Sequence, residues 1–443
     1  MALRAFFLIL CMSFFASFVH ADLRMVPGVD LRLEYNDNVF LEPEEEEDDL
    51  IATVAPNFSL NWDAPRLDVS LYASVAMEKY LDNTEEDRIG ADANQSSRLD
   101  ALARIYRENL FLRISDSYER VPIDEAGRGG EGNRNINLTD TNRFQFNPYL
   151  QFEPMKETRV KLGYTYENIW YEEDEADDSI NHLHYATVTK GISPKISMFL
   201  SGTYNQYRPK DAEDVLVFGE GGSYDYDQQT ASVGFSYQAT HRLHLNGQYG
   251  HSWLDYGVRS DSDAETWSAG ADYEISSNYT TGVQYSKDYT MSVEDGPSET
   301  DHILAYLGYE ERFGLNFQLF ARSRDFVEID RSTDSYGAEL SGDLPFNEKV
   351  GVTGLLRYTN FDDSGIEPEP IVIIIDNSFV VVPSNQPGVE AEEYHRYSAR
   401  YSLYYATRLG RMSAGYIYNR NDSDLDNADY TNNIVFLEAS LKF

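Results

Sequence analysis

The stretch Leu67-Asp68-Val69-Ser70-Leu71-Tyr72-Ala73-Ser74-Val75-Ala76-Met77-Glu78 decides the fold class. Leu67, Val69, Leu71, Ala73, Val75 and Met77 fall on one side of an extended chain. Asp68, Ser70, Tyr72, Ser74, Ala76 and Glu78 fall on the other. A period of two marks a strand with two unlike faces. The pattern returns along the chain. Ile196, Met198, Leu200 and Gly202 alternate with Ser197, Phe199, Ser201 and Thr203, and Leu315, Phe317, Leu319 and Ala321 with Asn316, Gln318, Phe320 and Arg322. After residue 21 no stretch keeps a helical period.

Two kinds of connection take turns between these segments. Short ones fall near 63–66, 107–109, 154–158, 192–195, 239–242, 276–278, 310–314, 344–349 and 406–410. Longer ones fall near 39–49, 81–93, 120–138, 172–180, 208–225, 257–264, 291–299, 326–331, 361–391 and 422–429. Nine short and ten long connections make about twenty strands, with 18 to 22 as the range that pattern-read boundaries allow. A sheet crossing a bilayer must close on itself, because lipid cannot satisfy an open edge. The sequence therefore predicts an all-β, transmembrane, antiparallel up-and-down β-barrel with short periplasmic turns and long acidic extracellular loops. A soluble β-sandwich would explain the alternation but not the alternating connection lengths. The 33 Tyr among 443 residues suit aromatic girdles at both membrane interfaces.

Composition narrows function. The net charge of −39 excludes the basic footprint of a nucleic-acid binder. The single Cys excludes a disulfide scaffold or a Cys-based zinc fold. Met1–Ala21 reads as a secretory signal peptide: Arg4 in the n-region, an apolar run, and Val19-His20-Ala21 before the cut. Residues 22–443 then form a single barrel domain, placed in the outer membrane of a Gram-negative cell. Val435, Leu437, Ala439, Leu441 and Phe443 alternate up to a terminal aromatic. Phe443 is thus the candidate signal for the outer-membrane insertion machinery, although Glu438 stands where such signals often carry Gly.

Charge divides between loops and wall. Loops 39–49, 81–93, 172–180, 361–393 and 422–429 hold thirty acidic residues and one basic one, Arg88. Outside the membrane they would form a solvated crown holding divalent ions among lipopolysaccharide phosphates, or a dedicated site; the solvated reading has the larger weight. With the apolar face against lipid, Arg98, Arg104, Arg113, Arg143, Arg322, Arg357, Arg396 and Arg400 point into the lumen as candidate pore-lining residues. Asp68, Glu78, Asp100, Glu167, Asp272 and Glu339 join them. These charges either brace the wall in pairs or form a basic stripe that guides an anionic solute.

Loop 361–391 carries Ile371–Ile375 and Phe379–Val382 around Asp376-Asn377-Ser378, a β-hairpin pattern. It would constrict the lumen, extend the wall or dock a partner. Asp422, Asp424 and Asp426 begin like a calcium loop, but Asn427 and Asn433 occupy its Gly and Glu positions. A solvated turn is the better reading. His182 and His184 share one strand face and read as structural lumen histidines. No G-x-S-x-G, H-E-x-x-H or phosphate-binding glycine loop is present, so neither an enzyme nor a cofactor is expected.

The segment Gly28 to Phe40, with Tyr35-Asn36-Asp37-Asn38, and the following Asp49-Leu50-Ile51-Ala52-Thr53-Val54-Ala55-Pro56-Asn57-Phe58-Ser59-Leu60 resemble the outer-membrane β-barrel family found with bacterial exopolysaccharide and capsule gene clusters. The resemblance spans nearly the whole mature chain, and its specific motif lies in the first forty mature residues. It implies a porin-like role in moving an extracellular polysaccharide, and transfers no catalytic residues. The expected function is an outer-membrane channel, a conduit for exopolysaccharide or another polar solute. The alternative is a non-conducting surface barrel acting through its acidic extracellular loops.

Overall fold

The computed structural model describes residues 22–92, 95–123, 129–173, 178–210, 225–255, 262–291, 297–326, 331–365, 371–375, 378–382, 391–425 and 428–443, with backbone alone for 371–382. Met1–Ala21, read as a signal peptide, lies outside them. Twenty antiparallel wall strands follow one another, each hydrogen-bonded to its neighbours in the chain. The third wall strand is interrupted, running Leu67–Ser74 and then Ala76–Tyr80; the fourth runs Arg88–Gly90 and then Ser97–Tyr106. The first strand, Asp22–Asn36, pairs with the last, Tyr430–Lys442, from Gly28 opposite Lys442 to Asn36 opposite Ile434. That seam closes the sheet and leaves no edge, the condition for crossing lipid. Both ends of the barrel sequence lie on the short-turn side, as an even strand number requires.

Side chains obey the alternation. On the strand Ile196–Pro209, Met198 and Leu200 face outward and stay exposed, Leu200 at 60%. Val233, Phe235, Leu307, Leu319, Leu356 and Leu437 occupy the same outer belt. Aromatics border it on both sides. Trp170, Trp253 and Tyr336 sit toward the long loops, and Tyr106, Tyr279 and Phe346 toward the short turns. Most wall strands have 13 to 18 residues, more than the roughly 9–11 a tilted transmembrane strand needs. The wall therefore continues beyond the bilayer.

Placing arginine at Leu200 should cost about 2–4 kcal/mol of folding stability, as a charge at mid-depth on the lipid face does. Arginine at Ser201, the next residue and inward-facing, should cost much less. Urea titration of the barrel refolded into lipid vesicles measures both, and equal losses would reverse the face assignment.

Two expectations need correction. His182 and His184 face outward, not into the lumen. They pair in register with Tyr166 and Tyr164, and the Tyr164 hydroxyl lies 2.7 Å from His182 Nδ1. His184 packs on Tyr164 and Tyr204, so the two histidines belong to the outer aromatic belt. Asp49 is not part of a solvated crown. It is buried, and its carboxylate accepts backbone N–H bonds from Leu81 and Asn83 at 2.9 and 2.8 Å, tying the first loop to the second. Glu44 to Asp48 remain exposed.

Candidate functional site: the lumen and its inward loop

The third long connection, between Leu110–Pro122 and Leu138–Met155, turns into the barrel. Its described residues, 129–137, lie against the first and third strands and against the last three strands of the wall. Arg134 anchors it. Only 3% exposed, its guanidinium donates through Nε to Glu34 Oε1 at 2.8 Å and also binds Glu78. Glu34 is shared with Arg32, and Glu78 with Arg88 at 2.7 Å. A buried charge is tolerated only when paired and hydrogen-bonded. Burial works against the charge of Arg134, but Glu34 and Glu78 overcome it and hold its pKa above the ordinary value.

The rest of the loop is pinned along its length. Tyr80 donates its hydroxyl to Asn135 at 2.7 Å, and Tyr430 bonds the carbonyl of Gly129. Asn419 accepts from the Glu131 N–H at 3.1 Å and donates to its carbonyl at 2.8 Å. The Glu131 carboxylate reaches Arg400 at 2.9 Å. Gly132 has φ +78°, and a Cβ there would lie 2.9 Å from the Ile417 side chain. Glycine is required on both counts. Ile417, Ile434 and Phe436, buried on the inward face, form the apolar seat beneath it.

Three walls of different chemistry line the lumen. The first sector, on the early strands, is charged and internally paired. Arg104 pairs with Asp68, Arg113 with Asp100, and Arg143 with Glu167 at 3.6 Å. The second is neutral. Ser179–Ser193, Ile196–Pro209, Tyr226–Gln238 and Leu243–Asp255 direct no Asp, Glu, Lys or Arg inward. Asn181, Ser201, Thr203, Gln228, Thr230 and Gln248 are typical of what they present, with the inward tyrosines Tyr185, Tyr207 and Tyr226, and His244 is their single histidine. The third, from Gly314–Phe326 to Glu392–Ala406, is mixed, with Arg322, Arg324, Arg357, Arg396 and Arg400 inward alongside Glu339, Asp343, Asp363 and Glu392. Below the loop tip, a cavity of about 860 Å³ runs from Glu131 and Arg400 to the short turns at Asn278 and Arg312.

All eight candidate arginines fall on the inward face by register. Arg98 lies 3.8 Å from Glu119, Arg357 donates twice to Glu339 at 2.9 and 2.6 Å, and Arg400 meets Glu131. With Arg104, Arg113 and Arg143, at least six of the eight engage carboxylates among the described residues and brace the wall. Arg322 and Arg396 stand in the third sector, Arg396 also reaching Asn421 at 3.3 Å. Phe443 faces outward and its N–H bonds the Pro27 carbonyl at 2.8 Å. Asp422 is held by Arg420 and Asp424 accepts from the Glu393 N–H; Asp426 lies outside the described residues. Among the described residues, no three His, Cys, Asp or Glu side chains converge as a metal site.

No family model and no curated protein matches the chain. Solved structures do. A mutant of the ferric enterobactin receptor PfeA from Pseudomonas aeruginosa aligns over 96% of this chain and 81% of its own, with TM-score 0.50 and 9% identity. The fold is that of an outer-membrane β-barrel. The FrpB iron transporter from Neisseria meningitidis aligns over 94% and 81%, with TM-score 0.46 and 8% identity. OpdK from P. aeruginosa aligns over 95% and 99%, with TM-score 0.41 and 11% identity. At these identities the likeness concerns the fold.

Nothing in the sequence of the inward loop itself marks it as a constriction; hairpin 371–382 is the pattern that reads as a candidate for one. That hairpin forms, with Ile371 opposite Val382 and Ile375 opposite Ser378, as a two-stranded sheet of its own. A signal for the true inward element existed in the last two wall strands. Ile417, Ile434 and Phe436 are apolar at positions whose parity points inward, so something had to cover them.

Proposed function

We propose that this outer-membrane barrel is a pore for a polar, hydroxyl-rich solute, narrowed off-centre by residues 129–137. The observation that carries the reading is the neutral sector. Four consecutive strands offer amide and hydroxyl groups and no inward acid, lysine or arginine, in a chain where 25% of residues are charged. Such a surface exchanges hydrogen bonds with a sugar as readily as with water and holds no single point tightly, which passage requires. The resemblance of Gly28–Leu60 to barrels found with exopolysaccharide gene clusters favours a sugar polymer as that solute. The acidic loop residues at the mouth, Glu44 to Asp48 among them, fit an outward face exposed to water and divalent ions.

Single-channel recording of the purified, refolded protein in a planar bilayer tests this. Stable open-channel current is expected, with added neutral oligosaccharide reducing it. A folded, heat-modifiable barrel that passes no current would overturn the pore and favour a surface barrel working through its acidic loops.

A further inference from the structure

We propose that the short-turn end of the barrel carries a docking ring for anionic phospholipid headgroups. The nine short turns, from 65–66 to 407–409, lie wholly within the described residues. They hold eight lysines and arginines against four glutamates, in a chain whose totals are 36 basic and 75 acidic residues. The bases are spread evenly. Eight of the nine turns carry one each, and only 277–278 has none. Five are arginines, Arg66, Arg107, Arg242, Arg312 and Arg408, and the other three are lysines. All eight residues are exposed. Lys156 alone of them is ion-paired among the described residues, with Glu157 of its own turn at 3.6 Å. The excess is thus local and uncompensated, at the end of the barrel opposite the acidic long loops.

The depth of these charges follows from the sheet. Each turn has two to four residues, too few to carry a side chain far from the strand ends. The aromatic border lies directly beside them. Tyr279 and Tyr309, opposite each other on adjacent strands, have ring centroids 4.7 Å apart. Phe313, next to Arg312, meets Tyr309 at the same distance. The Arg107 guanidinium lies 5.4 Å over the ring of Tyr106, which is turned outward and exposed. Rings of this kind settle at headgroup level, so the turn charges stand at the depth of the phosphates. A guanidinium presents a planar fork that matches a phosphate, and an ammonium presents a point charge. The spacing selects the occupant. Single charges set around the whole circumference at one depth fit a leaflet, whose phosphates lie in one plane on every side. A docked protein would touch one arc of the rim and call for a concentrated patch there.

The test offers phosphatidylglycerol and phosphatidylcholine at equal concentration in mixed micelles to the purified full-length barrel, and counts retained lipids by native mass spectrometry. Wild-type protein should keep about fivefold more phosphatidylglycerol, the worth of one base at an anionic surface. Replacing the five turn arginines together by glutamine should bring the ratio close to one while the barrel stays heat-modifiable. The five-lysine variant keeps the charge and should retain most of the preference; its loss there would overturn a ring that works through charge. Raising the salt from about 0.1 to about 1 M shortens the screening length from about 10 to about 3 Å and should cut the preference of the wild-type protein, a readout that needs no variant. Equal retention of the two lipids, indifference to salt, or a preference that survives the glutamine variant overturns the ring. So does release of phosphatidylglycerol by an equal concentration of inorganic phosphate, which would mark a site for free anions. None of these readouts depends on whether the barrel conducts.

Discussion

Replacing Arg134 with methionine should enlarge the channel. The guanidinium joins two fully buried glutamates, Glu34 and Glu78, from the first and third wall strands. Methionine fills similar volume but leaves both carboxylates short of a partner. Breaking a buried ion pair from one side costs about 3–5 kcal/mol, and the lower end applies because Arg32 and Arg88 remain. That cost falls on the loop rather than on the wall, whose strand-to-strand hydrogen bonds do not involve Arg134. Residues 129–137 should therefore leave their seat while the barrel persists. Higher unitary conductance with larger current fluctuations is the expected record, alongside unchanged heat-modifiability. Excising Gly129–Ile136 should give the same conductance without the fluctuations. If neither variant conducts more than wild type, the loop is not the obstruction.

Much of this architecture is legible in the sequence. Alternation such as Leu67 to Met77 gave the lipid face, and alternating connection lengths gave the strand number. Both signals are strong because lipid imposes them on every strand. The inward register of all eight arginines followed from the same rule, since a charge against lipid is costly. What each arginine does was not legible, because partners such as Asp68 for Arg104 depend on register between strands. Loop 123–137 was harder still. It has no period, and its anchoring acids, Glu34 and Glu78, lie 100 and 56 positions from Arg134 in sequence. Its glycines, 127, 129, 130 and 132, look like ordinary turn residues in the sequence. Only the inward apolar set at Ile417, Ile434 and Phe436 betrayed a covered surface. Asp49 shows a related limit: burial at a barrel rim follows which loop folds over which, and pattern alone does not encode that. The two outward histidines differ: they share the parity of Ala186 and Val188, but Leu183 and Tyr185 on the other face blur the alternation there.

The Tyr35-Asn36-Asp37-Asn38 motif yields the second large effect, because it sits where the barrel closes. Asn432 of the last strand donates to the Asn36 side chain and, at 2.9 Å, to the Asn38 carbonyl. Asp37 accepts from the Asn433 backbone at 2.6 Å and from its side chain at 2.7 Å. Asn38 in turn donates to the Thr431 carbonyl at 3.1 Å. Asn38 is fully buried and Asn432 nearly so, and the Asn432 side-chain oxygen Oδ1 also accepts from Asn419 at 3.2 Å, the residue that pins Glu131. The motif thus clasps the two ends of the sheet and connects that clasp to the constriction. Asn432→Ala strands several buried polar groups at once, each worth about 1–3 kcal/mol when left unsatisfied. The expected result is a lower denaturation temperature on heat-modifiability gels and slower refolding into vesicles, since the seam joins residues at opposite ends of the chain and such non-local pairing is slow to form. Asn61→Ala is the comparison. Asn61 accepts a bond from Ser70 at 3.2 Å on an exposed stretch of wall near the short turns, and its loss should change little. Matching behaviour of the two variants would remove the clasp from the account and leave the motif without a structural role.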